Sequence, residues 1–276
     1  MKTNRLDDPR STGLNWGRIM NELKALIFDV DGTLADNEQN GHRVAFNLAF
    51  ADAGLDWVWD RDTYEVLLET FGGKERLRRY LEDYQPGFDP ETGRDRFIRD
   101  LHQQKTHRYQ ELLNSGAIPL RPGVARLLRE AHEAGLRLAI ASTTTEINAT
   151  TLLSNTLGEQ SLSWFDVFAC GDVVARKKPA PDIFLYALEK LGLPTGECLA
   201  MEDSDSGLAS AMAAGLTTVI TVNESTRNQD FTGAAIVLDH LGEPENGFEV
   251  LAGDAREATL VNVAFLRRLH RERQAG

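Results

Sequence analysis

From about residue 118 onward the chain alternates between amphipathic segments with helical spacing and short apolar runs, and this alternation constrains the fold more than any other feature. Pro122 opens a helical pattern that carries Leu127, Leu128 and Ala131. Gly135 stops it, and Leu136 to Ala141 then reads as a strand. Further apolar runs follow at Val167 to Cys170, Cys198 to Met201, Thr217 to Val222 and Ala235 to Leu238, with helical patterns between them at about residues 146–157, 181–191 and 206–214. Strands separated by helices pair in parallel and carry the helices on the faces of the sheet. The expected fold class is α/β, a Rossmann-like doubly wound parallel sheet.

One further strand lies well upstream, in the run Lys24 to Leu34, which delivers Asp29 and Asp31 at its carboxyl end. Between it and residue 118 no strand-like alternation occurs. Val44 and Leu48 mark a first helix that Gly54 stops, Tyr64, Leu67 and Leu68 a second capped by Asp60, and Leu77, Tyr80 and Leu81 a third. Arg96, Phe97, Leu101, Tyr109 and Leu112 mark a long fourth, closed by Asn114-Ser115-Gly116. The predicted organisation is a leader over residues 1–22, disordered or an overextended start, and an α/β core over 23–37 and 118–243. An inserted α-helical cap domain covers 38–117, and the tail 244–276 carries a packing helix at Leu260 to Arg273. Deleting residues 1–19 is expected to leave activity unchanged.

The 276 residues, 42% of them hydrophobic, suffice for more than one domain. No apolar stretch approaches the roughly 20 residues that span a bilayer, so a soluble protein without a membrane partner is expected; it is expected as well to be cytoplasmic and monomeric. The net charge of −12 argues against nucleic acid as the main partner. Cys170 and Cys198 are too few for a disulfide framework or thiolate metal site and read as small buried hydrophobes. His102, His107, His132, His240 and His270 are expected in solvated or capping roles, whereas His42 falls near the hinge between core and cap.

Four segments share one grammar, an apolar strand followed by polar groups at its carboxyl end: Asp29-Val30-Asp31, Ser142 to Thr145, the loop with Lys177 and Lys178, and Glu202 to Ser206. A parallel sheet brings those ends to one edge, where open α/β sheets bind ligands. Together they supply acids, hydroxyls and a cation, the inventory of metal-assisted phosphoryl transfer. Two unit charges about 4 Å apart interact by about 4 kcal/mol at an effective dielectric of 20, so a carboxylate attacking a phosphate dianion requires screening. A magnesium ion held by Asp29, Asp203 and Glu202, with Lys178 beside it, would provide that. The hydroxyls and backbone N–H groups of Ser142 and Thr143, with Thr144 adjacent, are candidates to receive phosphate oxygens.

In order, these segments resemble the four motifs of the haloacid dehalogenase superfamily, phosphatase and phosphomutase branch, over about residues 23–240. The resemblance implies that Asp29 is the nucleophile and Asp31 the general acid and base, its side chain off the metal and only its backbone carbonyl coordinating. It also aligns Ser142 with the second motif's hydroxyl, Lys178 with the lysine before Pro-x-Pro-Asp, and Glu202-Asp203 with the acidic pair. Gly41 to Asn47, Leu55-Asp56-Trp57, Gly72-Gly73-Lys74-Glu75-Arg76 and Lys177 to Asp182 are similar to the CbbY type of sugar phosphatase. That type removes the 1-phosphate of xylulose 1,5-bisphosphate, a Rubisco misfire product. The implied partner is a small sugar phosphate and the implied cofactor Mg2+.

In the cap, Gly73 permits close approach of the backbone, and Lys74 and Arg76 are candidates to hold a second anionic group of the substrate. Asp36, Glu38 and His42 are candidates to meet the sugar, with the choice between Asp36 and Glu38 open. Two alternatives share the scaffold: a β-phosphoglucomutase-like sugar phosphomutase and a noncatalytic phosphometabolite-binding protein. Thr145-Glu146, where mutases often carry a basic residue, favours the hydrolase.

Overall fold

The structure is a computed structural model that describes residues 22–70 and 72–275; the leader expected over residues 1–22 lies, but for its last residue, outside them. Seven strands form one sheet in the order β3-β2-β1-β4-β5-β6-β7. They are β1 (Ala25–Phe28), β2 (Arg137–Ser142), β3 (Phe165–Cys170), β4 (Cys198–Glu202), β5 (Thr217–Thr221), β6 (Ile236–Leu238) and β7 (Val250–Ala252). All pairings are parallel except that of β6 with β7. Strand β1 is central and buried on both faces. Leu26 and Phe28 enter one apolar cluster and Ala25 and Ile27 the other, as a period of two requires.

The helices that cover the sheet are α5 (Val124–Glu133), α6 (Glu146–Leu157), α7 (Asp182–Leu191), α8 (Asp205–Ala213) and α9 (Val263–Ala275). Their ends follow local chemistry. The Thr145 hydroxyl caps α6 and the Ser204 hydroxyl caps α8, accepting from Gly207 N at 3.1 Å, while Gly192 closes α7 in the left-handed conformation. Asn262 caps α9 by accepting from Phe265 N at 2.8 Å, which sets its start inside the predicted Leu260 to Arg273. The expected packing helix is present, with Phe265, Leu266 and Leu269 in the core. Strand β7 was not expected: it is three residues long and more exposed than the others, so no apolar alternation announces it.

The helical insertion comprises α1 (Arg43–Asp52), α2 (Arg61–Leu68), α3 (Gly73–Asp83) and α4 (Arg94–Asn114), preceded by one wide turn over Glu38–His42. It has its own core of Phe46, Phe50, Trp57, Trp59, Tyr64, Leu77, Tyr80 and Leu101 among others. Asp60 caps α2 as expected, accepting from Thr63 N at 2.8 Å. The face of α1 differs from expectation: Ala45, Phe46, Ala49 and Phe50 are buried, whereas Leu48 is exposed. The buried stripe of α4 runs through Ile98, Leu101, Lys105, Tyr109 and Leu113, and so carries a lysine.

The chain enters and leaves the insertion at one place. Ala35 bridges Leu120, and Arg121 N donates to Leu34 O at 2.8 Å. The Arg121 guanidinium donates to the carbonyls of Gly32, Thr221, Val222 and Asp239, tying the turn after β1 to the ends of β5 and β6. Both cysteines are buried and free, and burial pushes each thiol up to about 12. Of the solvated and capping roles expected for His270, the solvated one does not hold: it is buried on α9, with Nε2 2.9 Å from Gly196 O. Among the described residues no helix is long and apolar enough to cross a membrane.

Candidate active site

The register of the sheet assembles the site. Phe28 lies opposite Ile140 on β2 and Met201 on β4, so Asp29, the next residue, emerges beside the ends of both neighbours. Asp29 N donates to Met201 O at 3.0 Å, which holds the backbone there. Carboxylate oxygens of Asp29, Glu202 and Asp203 lie within 4.8 Å of one another, and all three side chains are buried. Lys178 Nζ donates to Asp29 Oδ1 at 2.6 Å and to Glu202 Oε1 at 2.5 Å. Burial alone would push the Lys178 ammonium down, but these two carboxylates outweigh it and hold it up.

One lysine does not neutralise three buried acids. Burial, then Glu202 and Asp29, push the Asp203 carboxyl well above its ordinary range, and burial also raises Glu202. A hard cation with oxygen ligands would relieve both, so the donor set fits magnesium. Glu202 is fixed from its other side: Oε2 accepts from Asp203 N at 3.1 Å and from the Ser204 hydroxyl at 3.3 Å. Ser204, not Asp203, caps α8, which leaves the Asp203 carboxylate for the cluster.

Asp31 stands apart. Its carboxylate is not part of the three-acid cluster and accepts from the Asn37 amide. Burial, and then Asp29, raise its carboxyl to about 6, the range of a group that can both give and take a proton near neutrality.

Ser142 ends β2 fully buried, with its hydroxyl accepting from Thr144 N at 3.4 Å; Thr144 is half-buried and Thr143 exposed. The insertion supplies a second layer. Glu38 accepts from the Tyr64 hydroxyl at 2.6 Å and from Arg76 at 3.3 Å, while Arg76 also reaches Thr70 O at 3.0 Å. Arg76 is thus already paired with an acid, and Lys74 lies apart from it, exposed in a groove with Arg99 and His102. The two cations do not converge. Gly73 lets α3 approach the His102 ring and Phe46, where a methyl group would collide with the imidazole. Asp36 faces elsewhere, lining a cavity with Arg121, Asn223 and Asp239.

His42 lies against the Tyr109 ring, with centroids 4.0 Å apart, and its Nδ1 is 2.9 Å from Lys105 Nζ. Lys105 itself is buried over the Phe46 and Tyr109 rings. Burial brings its ammonium down to about 8, against the pull of Glu38 and Asp31. Sequence reasoning missed Lys105, Asn37 and Tyr64. Lys105 could have been found, as a lysine four residues from both Leu101 and Tyr109 on an apolar stripe; Asn37 carries no comparable signal.

An α/β core bearing this edge, with a helical insertion after its first strand, defines a class, and residues 23–215 match the family model for haloacid dehalogenase-like hydrolases. The chain belongs to that family. It is 53% identical over 213 residues to protein CbbY of Rhodobacter capsulatus, a match covering 77% of this chain and 91% of that one. A crystal structure of a CbbY mutant from Rhodobacter sphaeroides in complex with xylulose-(1,5)bisphosphate is 45% identical, with a TM-score of 0.64 over 79% of this chain and 94% of that chain. β-Phosphoglucomutase from Clostridium difficile shares the fold at 21% identity, with a TM-score of 0.60 over 92% of this chain and 100% of that one. Family and site together make this chain an enzyme, a phosphatase.

Proposed function

We propose that the protein is a Mg2+-dependent sugar phosphatase that removes the 1-phosphate of xylulose 1,5-bisphosphate through an aspartyl phosphate on Asp29. The observation that carries this reading is the division of labour at the end of β1. Asp29 lies within the three-acid cluster and against Lys178, whereas Asp31 is held by Asn37 outside that cluster. The bisphosphate bound to the Rhodobacter sphaeroides relative supports the choice of substrate.

In this mechanism an Asp29 carboxylate oxygen attacks phosphorus and displaces the sugar oxygen, which takes its proton from Asp31. Asp31, now ionised, removes a proton from the water that releases phosphate and regenerates Asp29. Lys178 holds Asp29 in place and offsets charge on the transferring group. Asp29, Glu202 and Asp203, with the backbone carbonyl of Asp31, would hold magnesium, which when bound screens the carboxylate from the phosphate. Ser142 and Thr143 would receive phosphate oxygens. The insertion acts as a cap over this edge, with Glu38 and His42 toward the sugar; that Asp36 lines a different cavity favours Glu38 of the two.

Asp29→Asn tests the assignment. The variant should melt as the wild type does and lose at least roughly 10⁴-fold in phosphate release, in line with the removal of a nucleophile. Appreciable turnover in a sample verified free of deamidation would overturn it. Glucose 6-phosphate formed from β-glucose 1-phosphate, in place of free phosphate from the bisphosphate, would identify a mutase instead.

A further inference from the structure

The turn that follows β5 joins two regions the mechanism treats separately. Asn223 Nδ2 donates to Asp203 Oδ2 at 2.7 Å. The orientation of that amide is fixed by its other end: Asn223 Oδ1 accepts from Ser225 N at 2.9 Å and Thr226 N at 3.1 Å, and Asn223 N donates to Thr226 Oγ1 at 3.0 Å. A flipped amide would lose both acceptor contacts and set its oxygen against a carboxylate. Asp203 has little other support, a 3.4 Å contact from the Thr33 hydroxyl.

The next two residues of the same turn reach the insertion. Glu224 pairs with Arg61, the first residue of α2, at 2.7 Å, and the Ser225 hydroxyl donates to Glu65 of α2 at 2.9 Å. Both members of the Glu224–Arg61 pair are about half exposed, so it contributes little. The partly buried Ser225–Glu65 contact, which Gln39 joins at 3.4 Å, is the firmer one. The base of the turn is anchored because Arg121 holds the carbonyls of Thr221 and Val222.

We infer that Asn223 is a positioning residue for Asp203, and that the turn 223–226 links the seat of α2 to the orientation of that carboxylate. Withdrawal of α2 removes the Ser225 partner, loosens the turn and frees the Asn223 amide. By reciprocity, a cation on Asp203 favours the seated insertion. The inference rests on reading Asp203 as a metal-holding carboxylate.

The test is Mg2+ binding by isothermal titration calorimetry on the full-length protein without substrate, alongside kcat, KM and melting temperature. Asn223→Ala should weaken Mg2+ binding about 10- to 100-fold, as loss of a group that orients a ligand does. Ser225→Ala and Glu65→Ala touch none of the three clustered acids Asp29, Glu202 and Asp203 and should fold normally. Each should weaken Mg2+ binding by about 5-fold or more, and Ser225→Ala should add little once Asn223 is replaced. Asn223→Ala binding Mg2+ within two-fold of wild type overturns the positioning role. Should that variant fail to fold, Ser225→Ala and Glu65→Ala that alter KM but leave Mg2+ affinity unchanged overturn the link. A wild-type protein that binds no Mg2+ brings down the underlying reading of Asp203, and this inference with it.

Discussion

Gly207 shows how closely single residues of this site constrain one another. It lies in the first turn of α8 facing Glu202, and a methyl group there would fall on the carboxylate. Glu202 cannot retreat, being held by Lys178, Asp203 N and Ser204. Gly207→Ala should therefore cost about 1–3 kcal/mol in urea denaturation, and a loss under about 0.5 kcal/mol, the range of innocuous surface changes, would mean that the Glu202 carboxylate lies elsewhere. His42 gives a pH-dependent expectation. Burial, then Lys105, bring its imidazole from 6.5 down to about 3. Between those values the unfolded chain takes up a proton that the folded chain refuses, so this contribution to stability is present above pH 6.5 and is lost as pH falls. His42→Gln should lose less stability than wild type between pH 7 and pH 5, by on the order of 1–2 kcal/mol. Parallel declines in the two proteins would refute it.

At the level of elements, the tail helix α9 acts as part of the core. Phe265, Leu266 and Leu269 join the cluster that also holds Leu26 and Phe28 of β1, and Glu130 on α5 accepts from Val263 N at 3.0 Å. Leu266 is fully buried, so Leu266→Ala should destabilise the protein by about 2–5 kcal/mol. A denaturant midpoint unchanged from wild type would show that the helix detaches in solution. The same element marks a limit of sequence reading. Its apolar spacing announced a helix, yet its start depended on Asn262 as a cap, and β7 just before it left no trace because its burial is incomplete.

For the molecule as a whole, the sheet was legible because parallel strands buried on both faces must be apolar runs, and because their polar ends stand out against that background. Asp29, Ser142, Lys178, Glu202 and Asp203 were visible for this reason. What remained hidden depends on which way side chains turn within the insertion: Arg76 turns to Glu38 while Lys74 turns out, and Lys105 hides on an apolar stripe. Asn223 was hidden differently, since only the fold brings the end of β5 to Asp203. The crowding of three buried acids carries a global expectation. Mg2+ should raise the melting temperature, with a stability gain of about 2.7 kcal/mol at a hundred times the dissociation constant. Asp203→Asn should abolish the shift, and an equal shift in that variant would place the ion elsewhere.

The single bridge between Ala35 and Leu120 has a consequence for how such a molecule can change. Because the insertion's two ends meet there, its length hardly strains the sheet: each doubling of a flexible loop costs only about 0.6 kcal/mol in closure entropy. The insertion also carries its own core of Phe46, Phe50, Trp57 and Trp59, so its surface away from α2 and the turn 223–226 can be rebuilt without disturbing strand register. Strand register and the outer surface of the insertion are thus separately revisable, and one can change while the other is kept.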